Sequence, residues 1–336
     1  MAQKLILYKD VQFPLHYEFL NLNISHPQGV ICFLHGWGSN KELMKLSFGQ
    51  SFRDFIHLYV DMPGFGGSAC DRSLSTNDYA EILRLFFGAL KNTNKILDSI
   101  EWIMLGHSFG GKVATLLADK RLILLSSAGI LEKKSLRVRC KIALAKVFKK
   151  LGLSANILRS KDASGLNNGM YETFKNVVNE DFRKHFAACN AQAFIFWGEQ
   201  DSATTLQSGK EIAALMKRSY FFVMQGDHYF FMKQAKIIEE EFMKNIQTKC
   251  FLVFGKVQGV GYRKYAKYKA DELGIFGSAQ NLDDGSVEIY AQAEQDALTK
   301  YKMFLEIGPH KARVENVKEK NLQDGMRIFQ DFVIIK

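Results

Sequence analysis

Ser108 stands in "LGHSFGGK" (residues 105–112), with Gly106 two positions before it and Gly110 two positions after. A serine hydroxyl is too weakly acidic to attack unaided, so it needs a base, and the base needs an orienting acid. Glycines at these two spacings suit a nucleophile carried on a sharp strand-to-helix turn, where flanking side chains would collide. Asp201 in "FWGEQD" and His228 in "QGDH" each follow an apolar run that reads as a strand. Both then fall at carboxyl ends of strands, the edge where Ser108 is expected, in the order serine, acid, histidine. Glu199 is the alternative acid, and Asp227 reads as a solvated neighbour of His228. An oxyanion developing at such a site needs two preset amide donors. Phe109, next to Ser108, and Trp37, after "HG" on an earlier strand loop, are the candidates. His35 reads as a structural residue of that turn.

A second pattern is "GKVQGVGYR" (residues 255–263). A Walker A loop would need Gly-Lys-Ser/Thr, which is absent, and a dinucleotide fingerprint would need glycine where Lys264 stands. What remains is a tight loop after a strand whose successive N–H groups can converge on an anion at a helix start. Gly259 and Gly261 remove side chains from the approach. Arg263 adds a planar charged fork suited to phosphate oxygens.

The elements that must position these residues follow two rhythms. "GVICFLHGWG", "FIHLYVDMPGFGGS", "IEWIMLGHSFGGKVATLLADK", "RLILLSSAG", "QAFIFWGEQD" and "SYFFVMQGDH" each run from an apolar strand into a turn, with helical spacing between several of them. Strands apolar on both faces, alternating with helices, predict a mostly parallel sheet with helices on either side. Residues 131–190 break the rhythm and read as a helical insertion. Within it, "SLRVRCKIALAKVFKKLG" (135–152) predicts a basic amphipathic helix with Leu136, Cys140, Ala143, Leu144, Val147, Phe148 and Leu151 on its apolar stripe. From about Lys249 the order becomes βαββαβ, with an Asp-Gly turn in "NLDDGSVEIY" marking a hairpin. No Pro/Gly/Ser-rich linker separates the halves.

Composition bounds the function classes. The chain has 336 residues, 47% hydrophobic and 24% charged, ordinary for globular protein and enough for two domains. It holds no apolar run long enough to span a bilayer, so integral membrane association is not expected. The start, "MAQKLILYKD", lacks a small-residue cleavage site, and no secretory signal is expected. Five scattered cysteines (Cys32, Cys70, Cys140, Cys189, Cys250) without a C-x-x-C pair argue against a disulfide framework or a zinc site and for a cytoplasmic location. The net charge is +10, but residues 131–190 hold 13 Lys and Arg against 5 Asp and Glu, while 250–336 are nearly balanced. Charge so confined weakens a nucleic-acid-binding reading. An RNA-recognition reading of the βαββαβ half also needs paired aromatics, and "GSVEIYAQ" supplies only Tyr290. The basic insertion could attract an acidic partner, such as an acyl carrier, or form a solvated outer face whose apolar stripe covers the site; the second is the expectation.

Taken together, "HGWG", "DMPGFGGS", "GHSFGG", "WGEQD" and "GDH" make residues 1–247 resemble an α/β-hydrolase with a helical cap at about 131–190. The resemblance implies a serine hydrolase with Ser108, Asp201 and His228 catalytic and Trp37 and Phe109 at the oxyanion. It leaves open an ester, a thioester or a carbon–carbon bond as the target. It also leaves open a non-catalytic ligand receptor or a docking module for an acidic partner.

Residues 249–336 resemble acylphosphatase. "GKVQGVGYR" matches the family's loop, "GSAQNLDDGSVEI" its second motif, and "KARVENV" and "DFVIIK" its later strands. The resemblance implies a ferredoxin-like α+β domain that hydrolyses acyl phosphates to carboxylate and phosphate. The phosphoryl group would be held by Arg263 and the amides of Val257, Gln258, Gly259, Val260, Gly261 and Tyr262, and Asn281 would orient the attacking water. Ser278 departs from the family, many members of which carry a bulky aromatic there. Carbamoyl phosphate is the alternative substrate. Neither site is expected to use a metal or other cofactor; small acyl compounds are the expected partners.

Overall fold

Short apolar runs with no polar face can be satisfied only inside a sheet covered on both sides. Strands β3 (Val30–Leu34), β4 (Ile56–Val60), β5 (Trp102–His107), β6 (Arg121–Leu125) and β7 (Gln192–Gly198) are buried along their whole lengths. The computed structural model describes residues 2–131, 166–244, 247–293, 295–320 and 332–335. It divides the chain into two compact units, Met1–Ala235 and Lys236–Lys336.

In the first unit, β1 (Ala2–Tyr8) and β2 (Val11–Leu20) precede the parallel strands, and β8 (Ser219–Met224) closes the order β1-β2-β4-β3-β5-β6-β7-β8. The β1–β2 and β2–β4 pairs are antiparallel and the rest parallel. The β1–β2 hairpin turns on Lys9 and Asp10, both at positive φ (48° and 60°), the backbone of a two-residue hairpin loop. Tyr8 and Lys9 each donate 2.8 Å hydrogen bonds to Asp78. Asp78 also closes the capping box with Ser75 at the start of α2 (Thr76–Lys91), so the hairpin is tied to a helix cap. Helices α1 (Lys41–Phe48), α3 (Lys95–Ser99) and α4 (Phe109–Leu117) complete the first half of this unit. Lys41 and Asp61 form a buried ion pair at 2.9 Å, and Asp61 also accepts from the Lys41 and Gly67 amides. Asp61, the aspartate of "DMPGFGGS", is therefore a brace for its loop, and its satisfied oxygens are what make burial tolerable.

The described part of the helical insertion is α5 (Asn168–Val178) and α6 (Arg183–Ala188). The amphipathic stripe expected at Leu136–Leu151 lies outside the described residues. Residues 166–190 carry three Lys/Arg and three Asp/Glu, so the whole excess of positive charge belongs to residues 132–165. Helix α7 (Leu206–Leu215) follows β7, and α8 (Phe231–Lys244) follows β8.

The second unit runs β9 (Gln247–Lys256), α9 (Tyr262–Leu273), β10 (Phe276–Asn281), β11 (Val287–Ala293), α10 (Gln295–Ile307), β12 (Arg313–Lys320) and β13 (Phe332–Ile334). Its sheet order is β12-β9-β11-β10-β13, with β10–β13 parallel and the other pairs antiparallel. The alternation of β9, β10 and β11 sends Phe251, Val253, Ala279, Ile289 and Ala291 into one core with Ala266, Ala270, Leu298, Tyr301 and Leu305 of the two helices.

Candidate active sites

The turn between β5 and α4 puts Ser108 at φ 52°, ψ −115°, a left-handed conformation that costs a non-glycine residue strain. The surrounding backbone holds it there. Ser108 N–H donates to Leu125 O, and its carbonyl accepts from Gly111 and Ala128, all at 3.0 Å. A Cβ on Gly106 would lie 2.3 Å from Gly110 O, and one on Gly110 would lie 2.4 Å from Leu34 O. Neither backbone neighbour can move without unmaking the turn. Gly110→Ala is therefore expected to destabilise the protein by about 3 kcal/mol, read as a lowered thermal midpoint of ester-hydrolysing activity; an unchanged midpoint would contradict this packing.

Asp201 and His228 meet at the same sheet edge. His228 Nδ1 lies 2.7 Å from Asp201 Oδ2. Asp201 also accepts from the Ala203 amide at 2.8 Å, the Thr204 amide at 3.0 Å and Thr204 Oγ1 at 2.9 Å. Burial pushes the Asp201 carboxyl up, but His228 and the Thr204 amide outweigh it and hold the pKa at about 2. A carboxylate facing Nδ1 keeps the proton on that nitrogen, which leaves Nε2 as the basic one. Glu199, the alternative acid, is exposed and does not reach His228; its side chain meets Gln200. Asp227 is exposed and accepts from the Tyr229 amide. Ser108 shares the edge but makes no hydrogen bond to His228 among the described residues. Such bonds are often long in unliganded sites.

His35 is buried, with Nδ1 2.8 Å from Gly36 O and Nε2 accepting from the Met62 amide at 3.1 Å. Burial pushes its pKa down to about 4, so it bridges two loops as a neutral ring. Trp37 is edge-on to Phe65 (4.9 Å between centroids) and Phe109 (5.7 Å). The Phe109 amide, in the first turn of α4, has no acceptor within its own helix.

In the second unit the loop after β9 enters α9 through Gly259 (φ 72°) and Gly261 (φ 83°). A Cβ on either would meet nothing within 4 Å. Glycine is needed there for the left-handed backbone, and the space over the loop is open. Among the described residues, the amides of Gln258, Gly259 and Val260 donate to no other group. Gln258 spends its side chain elsewhere: Nε2 donates at 2.8 Å to both Leu282 O and Ser286 O. This clips the loop to the β10–β11 turn, just after Asn281. Val257 and Tyr262 bury their side chains in the core, and Tyr262 Oη bonds Leu305 O. The Val257 amide, expected to face the anion, instead donates to Gly255 O at 3.0 Å and closes the turn that leads into the loop. Arg263 Nη1 donates at 2.8 Å to Ile335 O. Asn281 is exposed at the end of β10, and its side chain makes no hydrogen bond among the described residues.

The alpha/beta hydrolase family model matches residues 33–240, and the acylphosphatase model matches 249–334. Acylphosphatase of Helicobacter hepaticus is 44% identical over 91 residues, which are 26% of this chain and 94% of that protein. The chain belongs to both families. Acylphosphatase of Thermus thermophilus is 52% identical over 67 residues, 20% of this chain and 76% of its own. The hydrolase unit shares its fold with an esterase from Exiguobacterium antarcticum (TM-score 0.56, 15% identity, covering 72% of this chain and 98% of that one). It also shares it with an enol-lactonase from Burkholderia xenovorans (TM-score 0.54, 16% identity, covering 69% and 96%).

Three further residues near Ser108, Asp201 and His228 carried little signal in the sequence. His107 Nε2 lies 3.0 Å from the His228 carbonyl, so Nε2 carries the proton and anchors the loop that bears His228. Burial, with His228 beside it, pushes the His107 pKa down to about 3. Thr204 orients Asp201, and Lys112 lies buried one turn beyond Ser108. The signal for His107 and Thr204 was only adjacency to residues already chosen.

The depressed Asp201 carboxyl has a consequence for stability. Its folded pKa of about 2 lies below the unfolded value of about 3.9, so ionisation favours the fold by about 2 kcal/mol. That contribution is fully present above about pH 5 and is lost as the pH falls toward 2. Urea unfolding of the wild type and Asp201→Asn should differ less in acid than at neutral pH. A gap independent of pH would contradict the assignment.

Proposed function

We propose that the chain carries two separate hydrolytic sites. The hydrolase unit acts on an ester or thioester of a small acyl group. Ser108 attacks the carbonyl, His228 Nε2 takes the hydroxyl proton and returns it to the leaving group, and Asp201 stabilises the imidazolium; water, giving its proton to the same Nε2, then cleaves the acyl–Ser108 ester, releasing the acid and restoring the serine hydroxyl. The amides of Phe109 and Trp37 receive the oxyanion. The observation that carries this reading is the 2.7 Å Asp201–His228 contact at the sheet edge bearing a serine at φ 52°. A carbon–carbon bond is the alternative target, and a receptor without catalysis is the competing reading. The second would be favoured by the missing Ser108–His228 bond, and a fluorophosphonate probe separates the two: only a working nucleophile is labelled.

The acylphosphatase unit hydrolyses an acyl phosphate to carboxylate and phosphate. The loop amides and Arg263 bind the phosphoryl oxygens, and Asn281 orients water for in-line attack. Little covalent work is asked of the protein, because positioning and charge stabilisation dominate phosphoryl transfer. The carrying observation is a loop with open space above it, unspent amides and a guanidinium at the helix start. A screen of p-nitrophenyl esters of graded acyl length, run beside benzoyl phosphate and carbamoyl phosphate on one preparation, tests both halves. Turnover of carbamoyl phosphate far above benzoyl phosphate would displace the acyl phosphate reading.

We also place the chain in a reducing, cytoplasmic setting. Cys32, Cys70, Cys189 and Cys250 are free thiols, and no helix among the described residues is long and apolar enough to cross a membrane.

A further inference from the structure

Lys112 is a charged residue in a place that calls for leucine. It lies on α4, four residues after Ser108, and is 1% exposed. An ammonium so placed must find partners or cost several kcal/mol. It finds three, all from the insertion. Nζ donates to Val177 O at 2.8 Å, pairs with Glu180 Oε2 at 2.6 Å, and sits 5.0 Å from the centre of the Phe182 ring. Val177 is in the last turn of α5, where carbonyls lack partners within the helix and the helix dipole favours a cation. Lys112 thus caps α5 from another part of the fold. Glu180 is held in turn by Thr76 Oγ1 at 2.5 Å.

The rest of α5 is seated as closely. The Leu74 amide donates to Thr173 Oγ1 at 2.8 Å; past the end of the helix, the Phe182 amide donates to Gly129 O at 2.8 Å. A Cβ on Gly169 would fall 1.9 Å from Asp71 O, so the helix backbone lies directly on that loop. Seated in this way, α5 puts Phe174 with its ring centroid 5.2 Å from Trp37, and Trp37 lies edge-on to Phe109, the neighbour of Ser108. The position of Phe174 therefore depends on how α5 is held, and Lys112 holds its C-terminal end.

We propose that Lys112 is a positioning residue for the hydrolase site: by capping α5 it fixes Phe174 against Trp37, and this aromatic wall sets which acyl lengths reach Ser108. The proposal rests on the serine-hydrolase reading. A misplaced wall alters fit along the acyl chain, not the attack on the carbonyl, so the effect falls on KM and grows with chain length.

The test is steady-state kinetics with p-nitrophenyl esters from acetate to octanoate for wild type, Lys112→Met, Lys112→Arg and Phe174→Ala. Benzoyl phosphate hydrolysis by the same chains serves as a folding control for the second unit. In Lys112→Met the ratio of kcat/KM between the preferred ester and acetate should change about tenfold, mainly through KM. Lys112→Arg should restore part of it, and Phe174→Ala, at a half-buried position that leaves the core packed, should shift the same ratio. A Phe174→Ala profile that matches wild type within twofold overturns the proposal even if Lys112→Met does not fold. A uniform loss over all chain lengths in Lys112→Met, unrelieved by arginine, also overturns it. Wild-type fluorophosphonate labelling separates the two failures. Labelling of Ser108 with unchanged profiles sinks the Lys112 proposal alone; absence of labelling sinks the hydrolase reading and the proposal together.

Discussion

Replacing Ser108 by alanine is expected to abolish fluorophosphonate labelling and to lower ester hydrolysis by about 10⁴-fold or more. The size follows from what is removed. Without Oγ no acyl intermediate forms, and only amides and binding contacts remain to assist attack by water. The fold should survive, because the bonds that hold this residue are made by its backbone: N–H to Leu125 O, and carbonyl to the Gly111 and Ala128 amides. Alanine can take the same φ at a similar cost. Benzoyl phosphate hydrolysis by the Ser108→Ala chain should match wild type. A variant that keeps more than about a tenth of its esterase rate would mean that another nucleophile, or none, does the work.

The second large effect is on Arg263. Arg263→Ala should cut benzoyl phosphate hydrolysis by about 10³-fold while sparing ester hydrolysis, since the guanidinium is the only charged side chain assigned to the phosphoryl group. Lysine should rescue poorly. Arg263 uses one nitrogen on Ile335 O at 2.8 Å, and in the proposed role other nitrogens of its planar fork meet the anion, whereas an ammonium is a point charge without that division. Ile335 is itself fixed by its amide on Ala279 O at 3.0 Å, so the C-terminal segment orients the arginine. Loss of both activities in Arg263→Ala would show global damage or coupled sites instead.

The buried strands of the hydrolase unit were legible because each apolar run leads into glycine or proline, and the turns of both candidate sites because glycine marks them. Asp201 was separable from Glu199 only in three dimensions. Both follow β7 by a few residues, and it is the 198–204 turn, with its Ala203 and Thr204 amides, that turns Asp201 inward. The β1–β2 hairpin went unread although Val11, Phe13, Leu15, Tyr17 and Phe19 alternate with polar residues or proline. Its turn is Lys9-Asp10, and neither residue advertises the positive φ that both adopt. Lys112 was hidden for a different reason. A lysine in a helix reads as solvated, and its burial depends on acceptors at Val177 and Glu180, some 65 residues away. In the second unit the loop glycines and Arg263 were plain, but the clip made by Gln258 was not, because its partners are carbonyls, which carry no sequence signature.

The most direct test of two independent sites is to treat the wild-type chain with a fluorophosphonate to completion and assay both reactions on that sample. Label is expected on the peptide containing Ser108, with ester hydrolysis gone and benzoyl phosphate hydrolysis intact. Full labelling that also silences benzoyl phosphate hydrolysis, or ester hydrolysis that persists in the labelled chain, would contradict that expectation.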